Sequence, residues 1–329
     1  MRHILSIDVI CTWDDAVQGP GRQGISKAGG EQEEDDSATD AGFATTLAKG
    51  LAVLEAFELG ATFLGNTELS ARTGLKRPTV ARLSHTLAEL GYLRYDEARS
   101  KYRLGARSVR MAYPLLASLE FRQTARPLMQ ELAASVGGTV SIGLLDDDMS
   151  VYVETARSSD VGRQVPDIGR AVPIMRGAIG RALASMLRPD EAAALDALIQ
   201  SKGPDIWEAY GDRYLAGRRA CAEQGFCFSY GDWVATVPAV AAPLFRSRAT
   251  DDCFALNCAV PAFRLRPGQL ETEIAPRIKA LAAMIRQLAG EEEPVCLAPV
   301  VASEPKAATM AQQPSRGRGR TRFQSRSAG

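Results

Sequence analysis

The chain has 329 residues, a length that fits about two domains, and its 39 Lys and Arg balance 39 Asp and Glu. An apolar content of 46% is enough for ordinary globular cores. With only two histidines, His3 and His85, the C-terminal two thirds has no material for a His-based triad, a His proton shuttle or a His-rich metal site.

The zero average hides an uneven distribution. Residues 31–36, EQEEDD, are acidic, and the segment RGRGRTRFQSR from Arg316 to Arg326 is basic. Residues 43–110 carry 11 Lys and Arg against 6 Asp and Glu. Local positive excess of this kind points to nucleic acid as a partner. The six cysteines, Cys11, Cys221, Cys227, Cys253, Cys258 and Cys296, form no C-x-x-C pair, which fits reduced thiols and a cytoplasmic protein. No cleavable signal sequence is visible at the start. No apolar run approaches the ~20 residues of a membrane helix, so no membrane partner is expected.

Residues 1–42 are rich in Gly, Asp, Glu, Gln and Ser and read as a disordered extension, or as sequence ahead of the true start. From residue 43 the pattern is helical: TLAKGLAVLEAFEL has an apolar stripe of Leu47, Leu51, Val53, Leu54 and Phe57. In FLGNTELSARTG, Asn66 or Thr67 is the expected N-cap and Gly74 the stop. The third helix begins within KRPTVARLSHTLAEL. Pro78 is expected at its first position, where a missing N–H costs nothing. The stripe Val80, Leu83, Leu87, Leu90 is expected to face inward, with Ala81, Arg82 and His85 outward. YLRY and KYRL around DEARS then read as a hairpin.

Three helices and a hairpin make a winged helix-turn-helix over residues 43–105. The third helix offers Lys76, Arg77, Thr79, Ala81, Arg82 and His85 to a major groove. Arg94, Arg99, Lys101 and Arg103 form a basic wing. The partner is double-stranded operator DNA. A linker helix follows over 106–120, with Pro114 expected to kink or interrupt it. From 121 to 292 helices mix with strand-like runs: TVSIGLLD and MSVYVETA joined through an acidic turn, FCFSYGD, AVAAPLF and CFALNCAV. This is one α+β domain, closed by a long helix from Gln269 to Gly290. Residues 293–329 read as a disordered Arg-rich tail. The run Asp146 to Asp148 is a turn and not a metal site. No nucleophile, base and orienter come together, so neither catalysis nor a cofactor is expected.

KGLAVLEAF, ELSARTGLKRPTVARLSHTLAELGYLRYD, YRLG, RPLMQELAASVGGTVSIGLLD, GRALAS, GDWVATVPAVAAPLF and ALNCAVPAFRL occur in this order over residues 43–290. In them the chain resembles the IclR-type bacterial transcriptional regulators. The resemblance implies an N-terminal winged helix-turn-helix, a dimerising linker helix and a C-terminal effector-binding domain of GAF-like fold. It also implies a homodimer or dimer of dimers, acting at the nucleoid as repressor or activator. Its effector site maps to Gly177, Ala178 and Ile179 ahead of the GRALAS helix, to Asp232 and Trp233, and to Ala239, Asn257 and Ala259. Gly177 stands where Thr or Ser is usual in the family, and Asp232 where Glu is commoner. Alternation places Asn257 and Ala259 on one strand face and Cys258 on the other.

Each of these positions also has an ordinary packing explanation. Gly177 and Gly180 can serve close helix–sheet contact, Asp232 its own loop, and Trp233 the core. Two rivals remain at this level: a small-molecule enzyme fused to a nucleic-acid-binding module, and a ligand-independent architectural DNA binder using the Arg-rich tail. The expected effector is a small organic acid, aromatic if Trp233 contacts it. A nucleotide is not expected, because no glycine-rich phosphate loop follows a strand.

Overall fold

A computed structural model describes residues 43–58, 60–159, 167–292 and 294. Both segments expected to be disordered, apart from Pro294, lie outside the described residues, as do Cys11, Cys296 and His3.

Three helices open the chain: α1 (Thr45–Glu55), α2 (Asn66–Thr73) and α3 (Arg77–Glu89). They pack around Val53, Leu64, Leu69, Val80, Leu83, Leu93 and Tyr102. The cap of α2 is Gly65, one residue ahead of the expected Asn66. Glu68 reaches back and accepts the Gly65 N–H at 2.6 Å, doing the work of a capping side chain. Gly74 ends α2 in the left-handed region at φ 71°, as expected. Helix α3 starts at Arg77, so Pro78 is its second residue; that N–H also has no intrahelical acceptor.

Two parts of the expected apolar stripes face out. Leu47 and Leu51 of α1 are exposed, and so is Leu90 at the end of α3. The three helices bury only one face each, and these leucines lie beyond it. Strands β1 (Leu93–Asp96) and β2 (Lys101–Leu104) form the hairpin.

Helix α4 (Ala106–Ser118) runs through Pro114 without a break and buries none of its residues. Its start is tied to the DNA-binding unit by Ser108 Oγ donating to the Tyr92 carbonyl at 3.2 Å. Leu116 and Leu119 at its far end pack on the core of the second domain.

That domain is a six-stranded antiparallel sheet in the order β5-β4-β3-β8-β7-β6. Its strands are β3 (Thr139–Asp146), β4 (Met149–Arg157), β5 (Ala171–Pro173), β6 (Cys227–Ser229), β7 (Ala239–Arg246) and β8 (Cys253–Ala259). Helices α5 (Phe121–Val136) and α9 (Ala275–Ala289) cover one face. Helices α6 (Ala178–Ala184), α7 (Pro189–Lys202) and α8 (Pro204–Gln224) cover the other. Helix α8 starts at Pro204, well before YLAGRRACAEQG (Tyr214–Gly225), the run whose pattern alone predicts a helix. Trp207 and Tyr214 meet edge to face along it, and Trp207 also lies over Gly211.

The closing helix is not uniform. Residues Leu270–Ile274 form a π-helical turn before α9. Pro276 follows at once and has no N–H for the carbonyl four residues back, which favours the wider turn there.

The outer edge of β7 is only half paired, because β6 reaches Ala239 to Ala241 and no further. Beyond it, Pro243 offers no N–H, the register shifts between Pro243 and Phe245, and Arg286 donates to the Pro243 and Leu244 carbonyls at 3.3 and 3.5 Å. Among the described residues no helix is long and apolar enough to cross a membrane, and no group of His, Cys, Asp or Glu is set to hold a metal.

Candidate nucleic-acid interface and effector site

The α2–α3 turn is held by its own side chains. Ser70 Oγ donates to the Leu75 carbonyl at 2.6 Å, and Thr73 Oγ1 to the Leu69 carbonyl at 2.7 Å. This fixes the direction in which α3 leaves. Lys76 at its cap, Arg77 at its first position, Arg82 and His85 are all exposed, while Thr79 and Ala81 are half-buried. The outward set therefore spans the first two turns, where free amides and the helix dipole also favour phosphate.

On the wing, two of the expected cations are engaged within the protein. Lys101 reaches Glu68 at 2.7 Å and pins β2 to α2. Arg99 pairs with Asp96 at 2.8 Å and lies over the Phe63 ring. Arg94 and Arg103 are directly opposite each other across the hairpin, both exposed. Like charges in cross-strand register are unfavourable, and an anion between them relieves the repulsion.

In the second domain one register row crosses the sheet: Thr155, Ser141, Asn257 and Ala241. It lies on the face covered by α6 to α8. Thr155 Oγ1 donates to Ser141 Oγ at 3.0 Å, with both residues buried. Asn257 is buried beside them, and Tyr152 is buried on the same face. Burial pushes the Tyr152 phenol up to about 12, against the opposing pull of Arg170 and of the Asn257 side chain. Asn257 Oδ1 meets no partner among the described residues, and neither does Trp233 Nε1. A buried polar atom left unpaired costs roughly 1–3 kcal/mol, so a donor brought to Asn257 Oδ1, or an acceptor brought to Trp233 Nε1, would be favoured. Ala239, Ala241, Ala255 and Ala259 are small side chains on this face. Cys258 is in the opposite core, as alternation requires.

The other expected effector residues play visible structural parts. Gly177 caps α6 at φ −99°, a conformation open to any residue, and a Cβ there meets nothing closer than 3.6 Å. Gly180 is the position that needs glycine, since its Cβ would sit 1.9 Å from the Ile174 carbonyl oxygen. Ala178 and Ile179 are buried, and the Ile179 side chain lies on Gly143 of β3.

Asp232 is also buried, with Oδ2 on Arg181 at 2.5 Å and Oδ1 on Arg213 at 2.7 Å. Burial raises its carboxyl, and the two arginines more than offset this, leaving it below the ordinary range. Arg176 donates to the Asp232 carbonyl and stacks over Trp233 and Tyr210. Sequence reading missed Ser141, Tyr152 and Thr155. Their trace is the alternation of small or polar residues with Val140 and Ile142 in a strand buried on both faces.

A winged helix-turn-helix joined by an exposed helix to a sheet domain with an unsatisfied polar face defines a DNA-binding regulator with a ligand-binding domain. Residues 46–97 match the model of the IclR helix-turn-helix domain, and residues 114–287 that of the bacterial transcriptional regulator IclR C-terminal domain. The chain belongs to the IclR family of transcriptional regulators. It is similar to the HTH-type transcriptional regulator TsaQ1/TsaQ2 of Comamonas testosteroni, 28% identical over 245 residues, 73% of this chain and 86% of the relative. The p-hydroxybenzoate hydroxylase transcriptional activator of Acinetobacter baylyi is 28% identical over 254 residues, 74% of this chain and 90% of the relative. The crystal structure of an IclR family transcriptional regulator from Brucella abortus superposes with a TM-score of 0.67 at 32% identity, over 79% of this chain and 96% of that one.

Proposed function

We propose that this regulator grips two operator half-sites as a two-fold dimer, alone or paired into a dimer of dimers, and that a small hydroxylated organic acid on the Asn257 face alters the grip. The observation that carries the ligand reading is the buried, unpaired Asn257 Oδ1 beside Tyr152. An acceptor there calls for a ligand hydroxyl or protonated group, while Trp233 Nε1 is a donor suited to a carboxylate. A relative named for control of p-hydroxybenzoate hydroxylase makes hydroxybenzoates the first acids to try. Dimerisation is supported by α4, which buries nothing and exposes Val109, Met111, Tyr113 and Leu115. Phe43, Leu47 and Leu51 add a second exposed apolar row on and just before α1. Val109 and Tyr113 lie one turn apart, and so do Met111 and Leu115, so apolar rows run along an exposed helix, a mark of an interaction surface.

DNA contacts are assigned to Lys76, Arg77, Thr79, Ala81, Arg82 and His85 on α3, with Arg94 and Arg103 on the wing, where Arg99 and Lys101 are held by Asp96 and Glu68. One such helix reads a few base pairs, so a dimer reads half-sites about 10 base pairs apart or a multiple of that. A ligand shifts DNA affinity only by preferring one arrangement of the two heads, and a coupling of ~1–3 kcal/mol is ordinary.

The test has two stages. Thermal shift across hydroxybenzoates and small aliphatic acids identifies the effector. A duplex selected from random sequence by the parent protein is then titrated with and without it. Asn257→Leu should abolish the response and leave ligand-free duplex binding near the parent value. An Asn257→Leu protein that responds as the parent does puts the effector elsewhere.

A further inference from the structure

Among the described residues two carboxylates are buried, Asp232 and Glu154. Asp232 anchors the loop beside the ligand face. Glu154 lies on the other face of the sheet, beneath α5, where neither DNA reading nor ligand binding uses it. Arg122 Nη2 reaches its Oε2 at 3.0 Å, and Arg126 Nη1 its Oε1 at 3.2 Å. The Thr155 N–H donates to the same Oε1 at 3.1 Å. Arg126 is mostly exposed, but the Arg122 side chain is only 13% exposed, beside a fully buried carboxylate. A buried ion pair is a poor source of stability, since apolar residues of similar size often serve as well or better. Its presence invites a role other than holding the fold.

Two geometric facts supply one. The first is a bulge. Ile142 pairs with Glu154 and Gly143 with Tyr152, so Val153 is an extra residue in β4. Tyr152 therefore faces the Asn257 side and Glu154 faces α5, although they are two residues apart. A bulge re-aims side chains in this way. The second is the far end of Arg122. Its Nη1 donates to the Leu116 carbonyl at 2.7 Å, in the last turn of α4. Carbonyls in that turn lack intrahelical donors, and a cation there is favoured by the dipole. The strand thus leads from Tyr152, on the Asn257 face, through the bulge to Glu154, and the ion pair carries on to Arg122. The path ends on the helix whose other end is fixed to the N-terminal unit at Tyr92.

We propose that Glu154 and Arg122 form a strut coupling the ligand face to the linker helix, so that a shift on either side is felt on the other. This rests on the Asn257 face being the effector site. Coupling is reciprocal, so DNA alone can report it without a known effector. The experiment is amide hydrogen exchange on the full-length protein, with and without a duplex selected from random sequence by the parent. In the parent, duplex binding should alter exchange across β4 from Met149 to Arg157. In Glu154→Gln that alteration should be lost while duplex affinity and the exchange of α9 stay as in the parent.

The double variant Glu154→Leu with Arg122→Leu swaps the ion pair for an apolar one. It should show the same loss, and it serves if Glu154→Gln does not fold. The proposal is overturned if β4 in the parent is indifferent to the duplex, or if the variants transmit the change undiminished. Loss of duplex binding itself would also overturn it, making the pair a brace and not a relay. An effector site elsewhere shows separately, as an Asn257→Leu protein that keeps its response whatever β4 does.

Discussion

Asp232 accepts Arg181 on one carboxylate oxygen and Arg213 on the other, yet the two arginines are in opposite situations. The Arg181 side chain is 4% exposed and that of Arg213 64%. Removing the carboxylate strands a buried guanidinium in the first case and frees a solvated one in the second. Asp232→Ala should therefore cost about 3–5 kcal/mol. Arg213→Ala should cost no more than ~1 kcal/mol, as for an exposed pair. Denaturant unfolding of the two variants measures this, and equal losses would contradict the asymmetry.

The DNA contacts separate by type. Arg82→Ala should weaken the selected duplex by roughly 1–3 kcal/mol and relax one base position, as for loss of a bidentate base contact. Arg103→Ala should weaken all sequences alike and lower the salt slope by about 1, as for a phosphate contact. Competition against duplexes altered one base pair at a time, repeated at several salt concentrations, distinguishes the two. An Arg82→Ala protein with parental affinity and preference removes α3 from the reading role.

Assembly should fail when the exposed face of α4 is charged. Val109→Glu together with Tyr113→Glu should give a light-scattering mass of one chain and a large loss of duplex affinity. Both positions are exposed, so the chain should still unfold at a near-parental temperature. A variant that keeps the parental mass and affinity would move the dimer contact elsewhere.

Two neighbouring glycines should respond in opposite ways. Gly180→Ala forces a methyl onto the Ile174 backbone and should destabilise by at least ~1–3 kcal/mol, the usual cost of overpacking. Gly177→Ser has ordinary φ and room for its Cβ and should leave the melting temperature near the parental value. Thermal denaturation of both settles the contrast.

Much of this molecule is legible from its residues, and the failures share a cause. Gly74, Pro78 and the outward basic residues of α3 are local signals: Gly74 ends α2, Pro78 falls one residue inside the start of α3, and Arg82 and His85 are exposed. Cys258 and Asn257 separate by strand alternation alone. Alternation fails at Val153, because a bulge depends on pairing with β3, and nothing within MSVYVETA announces it. Leu47, Leu51 and Leu90 read as core because periodicity counts apolar positions and not the surfaces available to cover them. Lys101 reads as a free wing cation until the fold brings Glu68, 33 positions earlier, within 2.7 Å of it. Glu154 and Arg122 are likewise far apart in sequence, and only the packing of α5 on the sheet joins them.

The half-paired margin of β7 bears on how copies of this chain meet. An open strand margin is a template on which a second chain can extend a sheet. Here Pro243 withholds a donor, the register slip spoils the spacing, and Arg286 occupies two acceptors. That margin is closed to strand addition, so the sheet does not continue from one copy into the next along β7. Chains brought side by side are thereby kept from running one sheet into the next through that side.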